Sequence, residues 1–298
     1  MRFRVIALLF FACRLEPSDP AAEAAAILHK HPAGLADRMG ALEALVLREF
    51  PDSSPEPSGL ADSLFRYRQR LTASGFGALP AEEKPEALLR FLFDSLGIKS
   101  MDSGSLHSSL PGCVLTSRQG SCVGLALLAL GLAEAMNVDA AVVFLPSHLF
   151  LRLRAGPDSW RNAELLRHGM IRSDSFYRET FRLAKRPWYG LVSRPADQAL
   201  GALLFNLANA HALAGQKSTA HAEYRLVEEV IPDFPDALGC DGAMLAADGH
   251  AGAVPKLEAS LAGDSLSYPA WNAYASALER NRSPQAADAR RRAQSLKP

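Results

Sequence analysis

The stretch TSRQGSCVGLALLALGLAEAM, residues 116–136, joins a turn of small and polar residues to an unbroken apolar run. The run is long enough for a buried helix that begins near Cys122. A cysteine in the first turn of a helix faces unpaired backbone N–H groups, which favour the thiolate and lower the thiol pKa. A cysteine beside such a run is also a common small core residue. Cys122 is therefore either a structural thiol or a nucleophile, and its neighbours have to distinguish the two.

Helical patterns precede this stretch and strand patterns follow it. Apolar residues recur at helical spacing in four segments between residues 20 and 98, whereas residues 99–113 are predicted to form a polar loop. Residues 139–156 are rich in β-branched and aromatic side chains and predict a strand. Residues 158–166, after a Gly-Pro turn, predict its partner. Helices followed by strands indicate an α+β domain.

The two predicted strands carry the other side chains that a cysteine nucleophile needs. A base must take the thiol proton, and His148 on the first strand is the candidate. A third group must fix the tautomer and orientation of that histidine. Asn162 and Glu164 on the second strand are two residues apart, so they point to the same face and either can meet the ring. Alone, His148 would be an ordinary core histidine, so its assignment depends on Cys122.

These residues, in this order and spacing, resemble the transglutaminase-like, papain-like cysteine superfamily. The resemblance is to bacterial members in which the core is followed by tetratricopeptide repeats, and it covers about residues 30–270. It implies a papain-like α+β core over residues 20–195, with a helical leader, a cysteine-bearing helix and an antiparallel sheet. The matching positions are Phe91, Leu92, Phe93, Leu96, Gly97, Val114, Leu115, Arg118, Gly120, Cys122, Pro146, His148, Arg152, Asn162 and Glu164.

The same resemblance implies a role for each candidate residue. Cys122, His148 and Glu164 would form a Cys-His-acid triad in that order. Glu164 is preferred because its position matches the acid that lies just before a turn, and Asn162 is the alternative orienting residue. Arg118 and Gly120, which precede the cysteine, would support the site.

Two positions near the predicted site depart from the family pattern. Ser147 precedes the histidine where glycine is usual, and His168 stands where one of a pair of glycines follows the acid. Neither change removes a member of the predicted triad.

Residues 196–298 return to a helical pattern that repeats with a period of 34 residues. Ala208 corresponds to Gly242 at this spacing, and Gly215 corresponds to Gly249. The period and the small and aromatic positions resemble tetratricopeptide repeats, each a helix–turn–helix. A plain helical bundle is the alternative. Because such units bury a core only by stacking, we expect three of them to pack against the first domain as well.

The composition argues against several classes of protein. The chain has 298 residues, and its 32 Lys and Arg residues balance its 32 Asp and Glu residues, so no basic excess favours nucleic acid. Four cysteines are too few for a disulfide scaffold, and neither a CxxC pair nor an HExxH motif predicts a zinc site. We expect no metal and no cofactor, and we expect a protein or peptide as the partner.

The N-terminal residues MRFRVIALLFFAC have the layout of a bacterial lipoprotein signal. Two arginines precede an apolar run, and a small residue comes directly before Cys13. We expect residues 1–13 to be this signal, with lipidation at Cys13 and a location in the bacterial cell envelope. Any membrane contact would then come through the lipid anchor. The alternative is a cytoplasmic protein with a short apolar N-terminus.

Two functions fit the sequence. The first is acyl transfer on an amide, in which Cys122 forms a thioester that water or an amine resolves, giving a protease, an amidase or a cross-linking enzyme. The second is a non-catalytic scaffold of the envelope that binds peptides through the repeats.

Overall fold

The computed structural model describes residues 19–29, 34–51, 59–101 and 105–297. The predicted signal over residues 1–13 and the predicted lipidation site Cys13 lie outside the described residues, so both stay predictions.

The predicted helical leader is present as amphipathic helices. Asp19 caps the first helix by accepting a hydrogen bond from the backbone N–H of Ala21 at 3.0 Å. In the second helix, Met39, Leu42 and Val46 repeat at helical spacing and are fully buried. The leader consists of α1 (Pro20–Leu28), α2 (Leu35–Glu49), α3 (Leu60–Ala73) and α4 (Lys84–Arg90), and α4 continues as a π-helical turn over Phe91–Ser95.

The prediction of a polar loop over residues 99–113 is wrong. The structure has a short strand β1 (Lys99–Ser100), a 3-10 turn and a helix α5 (Pro111–Ser117). Pro111 suits the first turn of that helix because its missing N–H would have no partner there. The buried carboxylate of Glu43 accepts the next two backbone N–H groups, those of Gly112 at 3.0 Å and of Cys113 at 2.9 Å. This cap comes from another helix, so the local sequence does not reveal it.

The apolar run forms the central helix of the molecule. A two-residue strand β2 (Gln119–Gly120) pairs in parallel with β1, and α6 (Cys122–Ala135) begins directly after Ser121. Every residue from 123 to 133 is buried. A helix that is apolar on all sides is covered on all sides, and this cover comes from helices α2 to α5, the sheet and the first helix of the C-terminal region.

The predicted first strand over residues 139–156 is in fact two strands. The chain reverses at Ser147, whose φ of 55° is in the left-handed region. Leu145 is paired with His148 across the turn, so His148 is the first residue of the returning strand. The strands are β3 (Ala140–Leu145), β4 (His148–Gly156), β5 (Ser159–Glu164), β6 (Met170–Arg172) and β7 (Arg194–Pro195), in the antiparallel order β6-β5-β4-β3-β7. A short helix α7 (Asp174–Thr180) follows β6.

The C-terminal region consists of three helix pairs. The tight turns within the pairs contain Gly215, Gly249 and Arg282, all with positive φ, at intervals of 34 and 33 residues. Gly242 is in close contact with its own partner helix, because a Cβ there would lie 2.8 Å from Leu257. The pairs are α8 (Gln198–Leu213) with α9 (Lys217–Val230), α10 (Pro235–Ala247) with α11 (Ala253–Gly263), and α12 (Tyr268–Arg280) with α13 (Ala286–Leu296).

The helix pairs are docked on the α+β core. One cluster of buried apolar side chains extends from α1 through α6 and the sheet to the start of α10. Polar contacts lie at its edge, where Asp236 accepts hydrogen bonds from the hydroxyl of Tyr189 at 2.8 Å and from the backbone N–H of Ser147 at 3.2 Å. Arg186 forms an ion pair of 2.5 Å with Asp264. Within the described residues, no helix is long and apolar enough to cross a membrane.

Candidate active site

Cys122 is the first residue of α6, at the point where the chain turns from β2 into the helix. Ser121 before it is extended, with φ −75° and ψ 173°. Gly124, in the first turn of the helix, is pressed against the backbone, since a Cβ at this position would lie 2.3 Å from the carbonyl oxygen of Ser108. The half-buried Cys122 therefore stands at a helix N-terminus whose position is fixed by close backbone packing.

His148 and Glu164 form a hydrogen-bonded pair on neighbouring strands. The Nε2 atom of His148 lies 3.1 Å from Oε1 and 3.0 Å from Oε2 of Glu164. Oε1 of Glu164 also accepts the backbone N–H of Leu166 at 3.1 Å. The ring of Phe181 is stacked parallel to the histidine, with ring centroids 5.9 Å apart. Because the carboxylate engages Nε2, Nδ1 is the ring nitrogen that is left for another partner.

His148 is also hydrogen-bonded to the side chain of Cys122. Burial alone would lower the pKa of His148, but hydrogen bonds to Cys122 and Glu164, with the negative charges of both groups, raise it from 6.5 to about 9. The imidazolium form is therefore retained at neutral pH. The structure brings the three predicted residues together as a Cys122–His148–Glu164 series.

Asn162 lies on the same face of the sheet and has different partners. Its side-chain oxygen accepts from Nε of Arg152 at 3.0 Å, and its amide donates to Asp174 at 2.8 Å. Arg152 completes the triangle with an ion pair of 2.8 Å to Asp174. The structure places Glu164, and not Asn162, on the histidine.

Arg118 and Gly120 shape the turn before the cysteine. Arg118 ends α5 with a φ of 61°, is exposed, and donates to the carbonyl of Leu96 at 3.0 Å. Gly120 is buried, and a Cβ there would lie 2.8 Å from Val114. Both residues stabilise the turn that positions Cys122. Neither of them lines the cleft described below.

The two residues that depart from the family pattern have identifiable places. Ser147 takes up the left-handed conformation that glycine would favour, and its backbone N–H is bound to Asp236 of α10. His168 also has a left-handed φ, 54°, and packs edge-on against Phe93 at 5.8 Å. Ser147 also lines the cleft described below, whereas His168 is not among its lining residues.

Cys122 and His148 open into a cleft of about 720 Å³, a volume in the range of ligand sites. The α+β core provides one side of the cleft and the helix pairs provide the other. Aromatic side chains from both sides make up much of its walls, namely Phe144, Phe181, Phe205 and Phe234. Polar side chains are interspersed with them, namely Ser147, Thr180, Arg182, Arg186, Asn206, Asn209, Asp236, Asp264 and Ser267.

Sequence reasoning missed the part of the cleft that comes from the helix pairs. One residue of this part is Asp236. Burial raises its pKa to about 6, although the hydrogen bonds from Tyr189 and Ser147 act to lower it. Asn206 and Asn209 lie in the second half of α8, after a run from 199 to 204 that is entirely buried. Two amides three residues apart, directly after this apolar run, were the signal available for this surface.

Within the described part of the chain, the cysteines and acidic groups form neither a disulfide nor a metal site. Cys113, Cys122 and Cys240 form no disulfide. Among the residues that the structure describes, no group of three or more His, Cys, Asp or Glu side chains is arranged to hold a metal ion.

A comparison with protein families finds a match that begins just before α3 and ends between β6 and α7. Residues 58–173 match the transglutaminase-like superfamily. This transglutaminase-like domain contains Cys122, His148, Asn162 and Glu164, whereas α1, α2 and the C-terminal helix pairs lie outside the match. No curated protein matches the chain.

Proposed function

We propose that the protein catalyses acyl transfer from an amide through a cysteine nucleophile. The observation that carries the proposal is the contact series from Cys122 to His148 to Glu164 at the edge of a cleft. A thiolate needs a nearby cation, and the buried imidazolium of His148 provides one next to Cys122. The transglutaminase-like match over residues 58–173 supports the same reaction class.

The reaction would proceed in two steps. The thiolate of Cys122 attacks the amide carbonyl carbon, a C–S bond forms, and the carbonyl π electrons move to the oxygen. As that oxyanion collapses, the C–N bond breaks and the imidazolium of His148 gives its proton to the departing amine, leaving a thioester. The neutral His148 then takes a proton from water or a second amine, which attacks the thioester and releases the thiolate. Water gives a protease or amidase, and an amine gives a cross-link.

Each residue has a definite role in this scheme. As the first residue of α6, Cys122 has a backbone N–H with no intrahelical partner, which can donate to the oxyanion. Glu164 holds His148 through Nε2 and thereby directs Nδ1 toward the thiol. The helix pairs, as tetratricopeptide-like repeats, would present a protein or peptide partner to the cleft whose second wall they form.

Thiol labelling tests this function with an internal control. Cys240 lines the same cleft, but burial and the charges of Asp236 and Asp241 raise the pKa of its thiol to about 12. We expect iodoacetamide to modify Cys122 fast and selectively near neutral pH, and we expect His148→Ala to remove that selectivity. Equally slow modification of Cys122, Cys240 and the buried Cys113 would favour the non-catalytic peptide-binding scaffold instead.

We also propose that the chain is a lipoprotein of the bacterial cell envelope, anchored at Cys13 as its N-terminal sequence suggests. Metabolic labelling with a fatty acid should mark the wild-type protein and leave Cys13→Ser unmarked. Equal recovery of both forms in the cytoplasmic fraction would contradict the anchor.

A further inference from the structure

A side chain from outside the transglutaminase-like match is hydrogen-bonded to the turn that carries Cys122. Asn206, in the middle of α8, donates from Nδ2 to Oγ of Ser109 at 2.9 Å. Oγ of Ser109 lies 3.0 Å from Oγ of Ser121, the residue directly before Cys122. Ser109 is buried, so this contact joins α8 to the cysteine turn inside the molecule.

The direction of the hydrogen bonds in this series is set by its two ends. Ser121 Oγ lies 3.3 Å from the carbonyl oxygen of Ser108, a group that only accepts, so Ser121 donates there. Since a hydroxyl has one proton, Ser109 donates to Ser121, and Ser109 in turn accepts from Asn206. The amide of Asn206 is thus held by a one-way series that passes through Ser121, directly before α6, and ends at the carbonyl oxygen of Ser108.

This arrangement leaves one N–H of the Asn206 amide for a ligand. Nδ2 carries two protons, and among the described residues the amide makes one hydrogen bond, to Ser109. Asn206 lines the same cleft as Cys122 and His148. The other amide on this face, Asn209, is held within the helix pair instead, where it accepts from the hydroxyl of Tyr224 at 2.6 Å.

We propose that the Asn206 amide is the second donor to the oxyanion that forms when Cys122 attacks an acyl group. This inference rests on the proposed function. A donor of this kind must be neutral or cationic, fixed before the reaction, and close to the backbone N–H of the nucleophile. Asn206 is two hydrogen bonds from Ser121, and its amide is fixed by Ser109. Two arginines also line the cleft, but Arg186 is tied to Asp264, and Arg182 is exposed to solvent.

With Asn206 as a donor to the oxyanion, the helix pairs are part of the catalytic apparatus as well as a wall of the cleft. The match to the transglutaminase-like superfamily ends at residue 173, before α8 begins. A chain without α8 would then keep Cys122, His148 and Glu164 but lack one of the two groups that stabilise the oxyanion.

The test compares two reactions at the same sulfur atom. With p-nitrophenyl acetate, Cys122 attacks the ester carbonyl through an oxyanion, the C–O bond breaks, p-nitrophenolate leaves and an acetyl thioester remains. With iodoacetamide, the thiolate displaces iodide at a saturated carbon, and no oxyanion forms. We therefore expect Asn206→Ala to slow the p-nitrophenolate burst by about 100-fold, while alkylation of Cys122 stays within about two-fold of wild type.

Asn209→Ala is the matched control, because Asn209 lies one helical turn away and lines the same cleft. It should leave the ratio of the two rates unchanged. If Asn206→Ala leaves the burst unchanged, or slows alkylation as much as acylation, the donor role is overturned while the nucleophile stands. If the wild-type burst is the same in Cys122→Ser, the proposed function fails, and the inference fails with it.

Discussion

Nε2 of His148 lies 3.0 Å from Oε2 of Glu164, and this contact determines how the histidine can serve Cys122. Both side chains are nearly buried, with exposed fractions of 11% and 7%, so solvent screens their attraction little. The carboxylate fixes the ring through one nitrogen and stabilises its protonated form. The other nitrogen is thereby left for the thiol, with the proton that a departing amine requires.

Replacing Glu164 by glutamine should lower the pKa of His148 from about 9, because a neutral amide no longer stabilises the imidazolium. Removal of an adjacent charge of this kind is expected to shift a pKa by about one unit or more. NMR titration of the His148 ring measures the change directly. Asn162→Ala is the control, since Asn162 lies on the same face and bonds to Arg152 and Asp174; a larger shift in this variant would assign the orienting role to Asn162.

The same raised pKa predicts a pH dependence of stability. The folded protein binds a proton at His148 more tightly than the unfolded chain does. The contribution of His148 to the free energy of unfolding is therefore complete below pH 6.5 and is lost as the pH rises through about 9. The shift corresponds to a few kcal/mol, on the order of 3. Urea unfolding should therefore show the stability advantage of the wild type over His148→Gln shrinking across this range.

The exposed His250 provides the control for that measurement, because it lies in the turn between α10 and α11, far along the chain from the site. His250→Gln should follow the wild type at every pH. An advantage of the wild type over His148→Gln that is constant from pH 6.5 to 9 would show that the pair with Glu164 does not hold the proton.

The sequence was sufficient to put Asn162 and Glu164 on one face but not to choose between them. Alternation along a strand determines the face. The choice depends on register, and in the structure Arg152 is paired with Asn162, which places Glu164 diagonally opposite His148. That register includes an irregularity between Arg154 and Gly156, which no residue pattern announces. The resemblance to a known family, and not strand periodicity, favoured Glu164.

The features that sequence reasoning missed depend on contacts between distant segments. Helix α5 appeared to be a loop because its cap is Glu43, about 70 residues earlier in the chain. Asn206 reaches Ser109 across 97 residues. Helices with continuous apolar patterns, such as α6, were predictable because burial alone determines them.

Glu43→Gln should destabilise the protein through α5. An amide has one oxygen where the carboxylate has two, so it cannot accept the N–H groups of both Gly112 and Cys113 in the present geometry. Leaving a buried N–H without an acceptor costs about 1–3 kcal/mol, which urea unfolding can measure. The control is Glu82→Gln at an exposed position, where we expect little change. Equal stabilities of the two variants would mean that Glu43 does not cap the helix.

Two glycine substitutions separate the requirements of the cysteine turn from general effects on helices. At Gly40 in α2, an added Cβ meets nothing within 4 Å, so Gly40→Ala should stabilise the protein by about 0.5–1 kcal/mol through helix propensity. At Gly124 in α6, the Cβ would lie 2.3 Å from the carbonyl oxygen of Ser108. Because that neighbour is backbone, rotation of a side chain cannot relieve the clash.

Gly124→Ala must therefore separate the start of α6 from Ser108, which also accepts the backbone N–H of Ser121 at 3.0 Å. We expect a loss of about 1–3 kcal/mol or more in urea unfolding. We also expect slower alkylation of Cys122 by iodoacetamide under conditions in which the variant remains folded, because the thiol moves relative to His148. If Gly124→Ala lost stability but kept the wild-type alkylation rate, the close packing would serve the core alone. Because the close packing of Gly124 also positions Cys122, we expect stability and thiol reactivity to fall together in Gly124→Ala. Gly40→Ala should leave the reactivity of Cys122 unchanged.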